Sequence, residues 1–122
     1  MAIIRHFSRT GRIGATAKSL LQSADRGENK IAVSIMSVTE ILYLSEKGTI
    51  PVNLAQFTDR ISVSTNYRFI DIDLAVITEA QYVRGLELHD RLIVSTARVL
   101  GLPLITCDEK ITKSGLVEVI WK

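Results

Sequence analysis

Two aliphatic runs, IAVSIM at residues 31–36 and LPLITC at 102–107, constrain this chain more than any other feature. Each is short, rich in branched side chains and bounded by polar residues, the pattern of a strand buried on both faces. Around them the apolar residues recur at helical spacing. Residues 14–25 set Ala17, Leu20, Leu21 and Ala24 on one face, with Gly27 as the stop. Ser37 opens a second helix ending at Gly48, and Pro51 sits just inside a third whose Leu54, Phe57 and Ile61 share a face. Residues 67–72 read as a further strand, and Asp73 caps a helix through Leu74, Ile77 and Ala80. Gly85 breaks that pattern. Asp90 begins a helix with Leu92, Ile93, Ala97 and Leu100 inward, stopped by Gly101, and a last strand spans 117–121. Strands alternating with helices give a parallel sheet covered on both faces. The expectation is a single α/β domain over residues 1–122.

Composition narrows the function classes. A chain of 122 residues can bury one core, and 47% hydrophobic with 23% charged residues excludes disorder. No apolar run approaches the roughly 18 residues a membrane span needs. The opening MAIIRHFSRTGR is too short in apolar residues for a signal peptide, and no small-residue cleavage site follows it. Cys107 is the one cysteine and cannot form an internal disulfide; with no export signal, a cytoplasmic location is expected. In its strand Cys107 reads as an inert buried hydrophobe. The net charge of +2 is uneven, with +4 in residues 1–30 and −2 in the rest. That basic quarter suits either a phosphate backbone or a solvated helix face.

Three acids fall where an open α/β sheet gathers its functional groups, outside the carboxyl ends of the strands. Glu40 follows the first run, Asp108 follows the last, and Asp90 starts the helix feeding that last strand. Parallel topology sends these junctions to one edge, so the three carboxylates converge. Two carboxylates ~4 Å apart repel by ~4 kcal/mol at an effective dielectric near 20. Convergence therefore calls for a proton, a cation or a metal. Oxygen donors without His or Cys select Mg²⁺ or Mn²⁺, whose bound water could attack a phosphodiester. Each acid also has a plain structural explanation. Ser37 and Glu40 match a capping box, Asp90 suits a helix start, and Asp108-Glu109-Lys110 suits a turn. His89 reads as a surface loop residue, Trp121 as a core seal, and Tyr43 with Leu44 as core or dimer surface. Arg91 either contacts phosphate or pairs with a nearby acid.

The segments at 31–50 and 89–111 resemble the PIN domain family, and within it the VapC-type toxins of bacterial toxin–antitoxin pairs. Ser-x-x-Glu, then Asp-Arg-Leu-Ile-x-x-Thr-Ala, then Thr-x-Asp carry the likeness, which covers most of residues 12–121, including RIGATAKSLL and the closing EVIW. The resemblance implies a three-layer α/β/α fold with a mostly parallel central sheet and an acidic site that binds Mg²⁺ and cleaves RNA. It also implies an antitoxin partner that blocks the site, and a homodimer. Carried onto this sequence, Glu40, Asp90 and Asp108 are the catalytic, metal-holding acids. Thr106 is a hydrogen-bond partner for site carboxylates or water, and Ser37 is the cap that aims Glu40. Arg91 and Arg12 are candidates for contact with RNA.

One departure stands out. The family begins with a central strand ending in Asp, and here the alignment of RIGATAKSLL puts that Asp just before Met1. Residues 2–7, AIIRHF, then correspond to the helix after the strand; the alternative recruits them as the strand, with His6 near the site. Without the central strand its two neighbours keep unpaired backbone groups, each costing about 1–3 kcal/mol if buried. The gap must be closed by rearrangement, filled by the N-terminal residues, or paired with another chain. Two functions follow: a Mg²⁺-dependent endoribonuclease toxin impaired by the missing acid, or a non-catalytic remnant that dimerises or holds an antitoxin. A small-molecule enzyme would need a phosphate-cradling glycine loop; Gly11-Arg-Ile-Gly14 lacks the third glycine and the preceding strand.

Overall fold

A computed structural model describes residues 2–8 and 11–122. In chain order the elements are α1 (Ala2–Ser8), α2 (Ala15–Asp25), β1 (Ile31–Ser34), α3 (Ile35–Glu46), α4 (Leu54–Val63), β2 (Tyr67–Ile70), α5 (Leu74–Ala80), α6 (Leu88–Leu100), β3 (Leu104–Ile105), α7 (Glu109–Ser114) and β4 (Val119–Ile120). The α/β class and the parallel strands agree with the sequence. The sheet is divided, however. β1 pairs with β2 in parallel, Ile31 opposite Tyr67 through Ser34 opposite Ile70, and β3 pairs separately with β4. The inner edges of the two half-sheets bound one cavity of about 530 Å³, which Leu21 of α2 and Ile93 and Ala97 of α6 also line.

Residues 2–7 settle one alternative. They are helical, so AIIRHF is not a recruited strand. His6 turns to Asp25, Nε2 to Oδ2 at 2.6 Å, rather than to the three acids. Buried Ile4 joins Leu21, Val33, Ile41, Phe57, Ile61 and Tyr67 in the main core. Rings tighten that core: Phe7 meets Phe57 edge-on at 5.8 Å and Tyr67 at 5.5 Å. A second cluster of Val83, Val94 and Ile111 supports β3 and β4.

Several boundaries move, each for a local reason. The first strand stops at Ser34, because the Ser34 hydroxyl accepts from the Met36 amide at 3.1 Å and caps α3. Ser37 therefore lies inside α3, and the capping box with Glu40 is not formed. Asn53, accepting from the Gln56 amide at 2.9 Å, starts α4 and leaves Pro51 in the preceding loop. Asp73 does cap α5, accepting from Val76, yet α5 buries Val76 and Ala80 and exposes Leu74 and Ile77. Helix α6 begins at Leu88, so Asp90 sits within its first turn and is not its cap, and His89 is helical and exposed. Gly101 ends α6 at φ 66°, a left-handed conformation glycine adopts without a Cβ penalty. The strands at 102–107 and 117–121 shrink to two residues each, and Cys107 is exposed. No helix among the described residues is long and apolar enough to cross a membrane.

The halves are tied at Gly14. A Cβ built there would lie 1.9 Å from the Trp121 carbonyl oxygen, so only glycine admits the approach. The same carbonyl accepts from the Ala17 amide at 3.2 Å, and the Arg5 guanidinium lies 5.9 Å from the Trp121 ring. Trp121 thus joins α1 and α2 to β4 rather than sealing a core.

Candidate active site

The site is built at the end of the cavity where β1 and β3 give way to their helices. Glu40 reaches it from α3, two turns beyond the Ser34 cap, and is half-buried. Asp90 comes from the first turn of α6 and Asp108 from the start of α7. All three line the one cavity, as do Ser37 and Thr106.

Asp108 is held firmly. Its Oδ1 accepts from the Ile111 amide at 2.9 Å, making it the N-cap of α7, a helix the sequence reading took for a turn. Its own amide donates to Thr106 Oγ1 at 3.1 Å. Thr106 therefore shapes the backbone that presents Asp108, rather than bonding a site carboxylate. One Asp108 oxygen caps the helix; the other makes no hydrogen bond among the described residues.

Asp90 carries the electrostatic signature. Burial, then the Asp108 charge, then Glu87 raise its carboxyl above the usual aspartate range, while His89 and Lys110 oppose them. Asp90 and Asp108 therefore sense one another across the site. Glu87 and Lys110 were missed from sequence; their closeness to Asp90 and Asp108 along the chain was the available signal. Among the described residues no group of three or more His, Cys, Asp or Glu side chains is gathered tightly enough to hold a metal ion. The donor set of Asp90 and Asp108, with Glu40 along the same wall, is nonetheless all oxygen and short of positive charge. That chemistry fits a hard cation which keeps several waters.

The arginines separate. The Arg91 guanidinium turns from the site to α5, where Nη2 donates to the Ala80 carbonyl at 2.7 Å. This corrects both earlier readings of Arg91, as a phosphate contact and as partner to a nearby acid. Its Nε is buried without a hydrogen-bond partner among the described residues. Arg12 is exposed, and its carbonyl accepts from Arg5 Nη1 at 2.7 Å. Arg9, one of the basic N-terminal residues, lies outside the described residues. On α3, Tyr43 is exposed and Leu44 packs half-buried against the main core.

Comparison with known proteins bears on the fold. Two solved structures share the fold across nearly the whole chain. The VapBC2 complex of Rickettsia felis, bound to a DNA fragment from its promoter, matches with TM-score 0.65 and 17% identity over 99% of this chain and 93% of that one. A toxin–antitoxin complex from Klebsiella pneumoniae matches with TM-score 0.64 and 22% identity over 98% and 90%. A comparison with curated proteins gives no match. The PIN domain family matches residues 2–115, nearly the full length, and the chain belongs to that family.

Proposed function

We propose that this chain is the toxin-type endoribonuclease of a toxin–antitoxin pair, acting in the cytoplasm on RNA and depending on Mg²⁺ or Mn²⁺. The observation that carries the reading is the placement of Glu40, Asp90 and Asp108 around one cavity, at the carboxyl end of β3, in a PIN domain. Asp90, Asp108 and Glu40 are the residues to hold the cation. When bound, it supplies a water of lowered pKa and offsets negative charge at phosphorus. Asp108 is held in place by its helix-capping bond and by Thr106. Asp90, raised by burial and then by its acidic neighbours, is the group whose ionisation a cation would favour most. An antitoxin that covers the site, and a homodimer, are parts of the same proposal. The fold shared with chains from two toxin–antitoxin complexes supports the antitoxin.

A second reading has its own support. The divided sheet and the lack of a three-acid cluster among the described residues favour a chain that binds an antitoxin without cutting. Single-turnover cleavage of a structured RNA under Mg²⁺ titration separates the two. The nuclease reading expects metal-dependent cleavage that falls at least ~100-fold in Asp90→Asn, the scale of losing a charge-stabilising group. Antitoxin binding with no cleavage at saturating Mg²⁺ would overturn it in favour of the binding role.

A further inference from the structure

Beside the acidic site the surface gathers cations. The loop between α5 and α6 and the exposed side of α7 bound an open groove of about 520 Å³. Among the described residues that line it are Arg84, Lys110 and Lys113, and no Asp or Glu. Val83, fully buried, pins the loop into the cluster with Val94 and Ile111, and Tyr82 and Arg84 on either side of it stand in solvent. Leu86 and Leu116 pack against the same cluster and give the groove its apolar lining. Arg84 Nε donates to the Gln81 carbonyl at 3.3 Å, which steadies the guanidinium. Among the described residues neither Arg84 nor Lys110 has a carboxylate within ion-pair distance. Lys113 meets Glu109 at 4.0 Å, with the side chains 81% and 87% exposed, and so wet a pair yields readily to a stronger anion. Lys110 joins the groove to the acids: it stands in the first turn of α7, two residues after Asp108, and its charge reaches Asp90. Lys113 is one turn further along. Residues three apart on a helix hold their Cβ atoms about 5–6 Å from one another, near the step between successive phosphates of an extended strand.

We propose that this groove carries the single-stranded stretch of RNA next to the phosphate being cut, with Lys110, Lys113 and Arg84 on its backbone and Tyr82 stacked on a base. The inference rests on the ribonuclease reading and adds to it the path of the substrate. Asp90 and Asp108 repel a polyanion, so groups beside them must hold the strand. Tyr82 is 66% exposed, and a ring so open suits an unstacked base of any identity, which a duplex does not offer. An acidic protein segment would satisfy the three cations, leave Tyr82 without a use, and have to turn basic at the acids next door. RNA accompanied by a hard cation meets both charges at once. Arg91 and Arg12, the arginines expected from sequence, take no part in the groove.

Fluorescence anisotropy of a short dye-labelled oligouridylate on the full chain tests it, with EDTA present so that no cleavage intervenes. Lys110→Ala, Lys113→Ala and Arg84→Ala should each weaken binding about fivefold or more at low salt. Each should also lower the slope of log affinity against log salt by about 0.7, the share of one phosphate on a single strand. Tyr82→Ala should weaken binding about fivefold or more at an unchanged slope, and Tyr82→Phe should keep the parent's affinity. All four side chains are exposed, so circular dichroism should match the parent; if Arg84→Ala disturbs its loop, the two lysine variants decide. Binding that none of the substitutions alters overturns the groove, while Mg²⁺-dependent cleavage by the same variants leaves the ribonuclease reading standing. Groove-dependent binding with no cleavage at saturating Mg²⁺ upholds the groove and overturns that reading. A lysine variant that loses affinity at an unchanged slope acts through the fold, and overturns its place on the backbone. No binding by the parent overturns the proposal. So does tighter binding of a polyglutamate of equal charge that is lost in the same variants, which assigns the groove to an acidic protein.

Discussion

The two halves of the divided sheet are built to different standards. β1 and β2 share a register of four residues over an aromatic core, in which Phe57 is 2% exposed and touches both Phe7 and Phe69. β3 and β4 share two residues, all half-buried, over a small cluster of aliphatics. Folding strength is concentrated in the first half. The second half holds Asp90 and Asp108, and Asp108 is fixed by a helix cap and a threonine. A site set on the weaker half can shift when something binds, because few contacts need to break.

That contrast can be attacked at three points. Phe57→Ala should have the largest effect, a loss of about 4 kcal/mol for an aromatic removed from a closed core. Urea unfolding followed by circular dichroism measures it, and a loss under about 1 kcal/mol would erase the distinction between the halves. Gly14→Ala comes next, at about 2–3 kcal/mol, since its methyl runs into the Trp121 carbonyl. Trp121 is the only tryptophan, so its fluorescence reports on the tie between the halves. In this variant the fluorescence transition should precede the dichroism transition, as two loosened units would. Coincident curves would mean that the halves unfold as one body even without the tie.

Asp90→Asn should have the smallest effect on stability, visible only in its pH dependence. Its carboxyl is raised in the folded state, so just above the ordinary aspartate range the folded chain holds a proton that the unfolded chain has lost. Stability should therefore fall as pH rises through that window, and Asp90→Asn should flatten the fall. An unchanged slope in thermal melts would show that the Asp90 carboxyl is not raised in the folded state.

What could be read from sequence follows the range of the forces involved. Helices α2 and α6 were legible because a periodic apolar face declares itself locally, and Gly101 was read correctly as the stop of α6. The strand ends were not. Ser34 could extend β1 or cap α3, and the cap prevailed because its hydroxyl reaches the Met36 amide. The half-sheet at 102–107 shortened because strand length depends on a neighbour, and β3 has one on a single side. That Glu40, Asp90 and Asp108 would line one cavity was legible, because strand-to-helix junctions fix their places. Their spacing was not, because it depends on how the halves stand across the cavity. Arg91 misled for the same reason: adjacency to Asp90 along a helix says nothing of the Ala80 carbonyl one helix away.

Helix α2 has neither an acid in its first turn nor a side-chain cap; the Ala17 amide is satisfied by the carbonyl of Trp121, far along the chain. An element made early in synthesis thus borrows its terminus from a residue added much later. While the nascent polypeptide emerges from the ribosome, that turn stays frayed until Trp121 has followed it out.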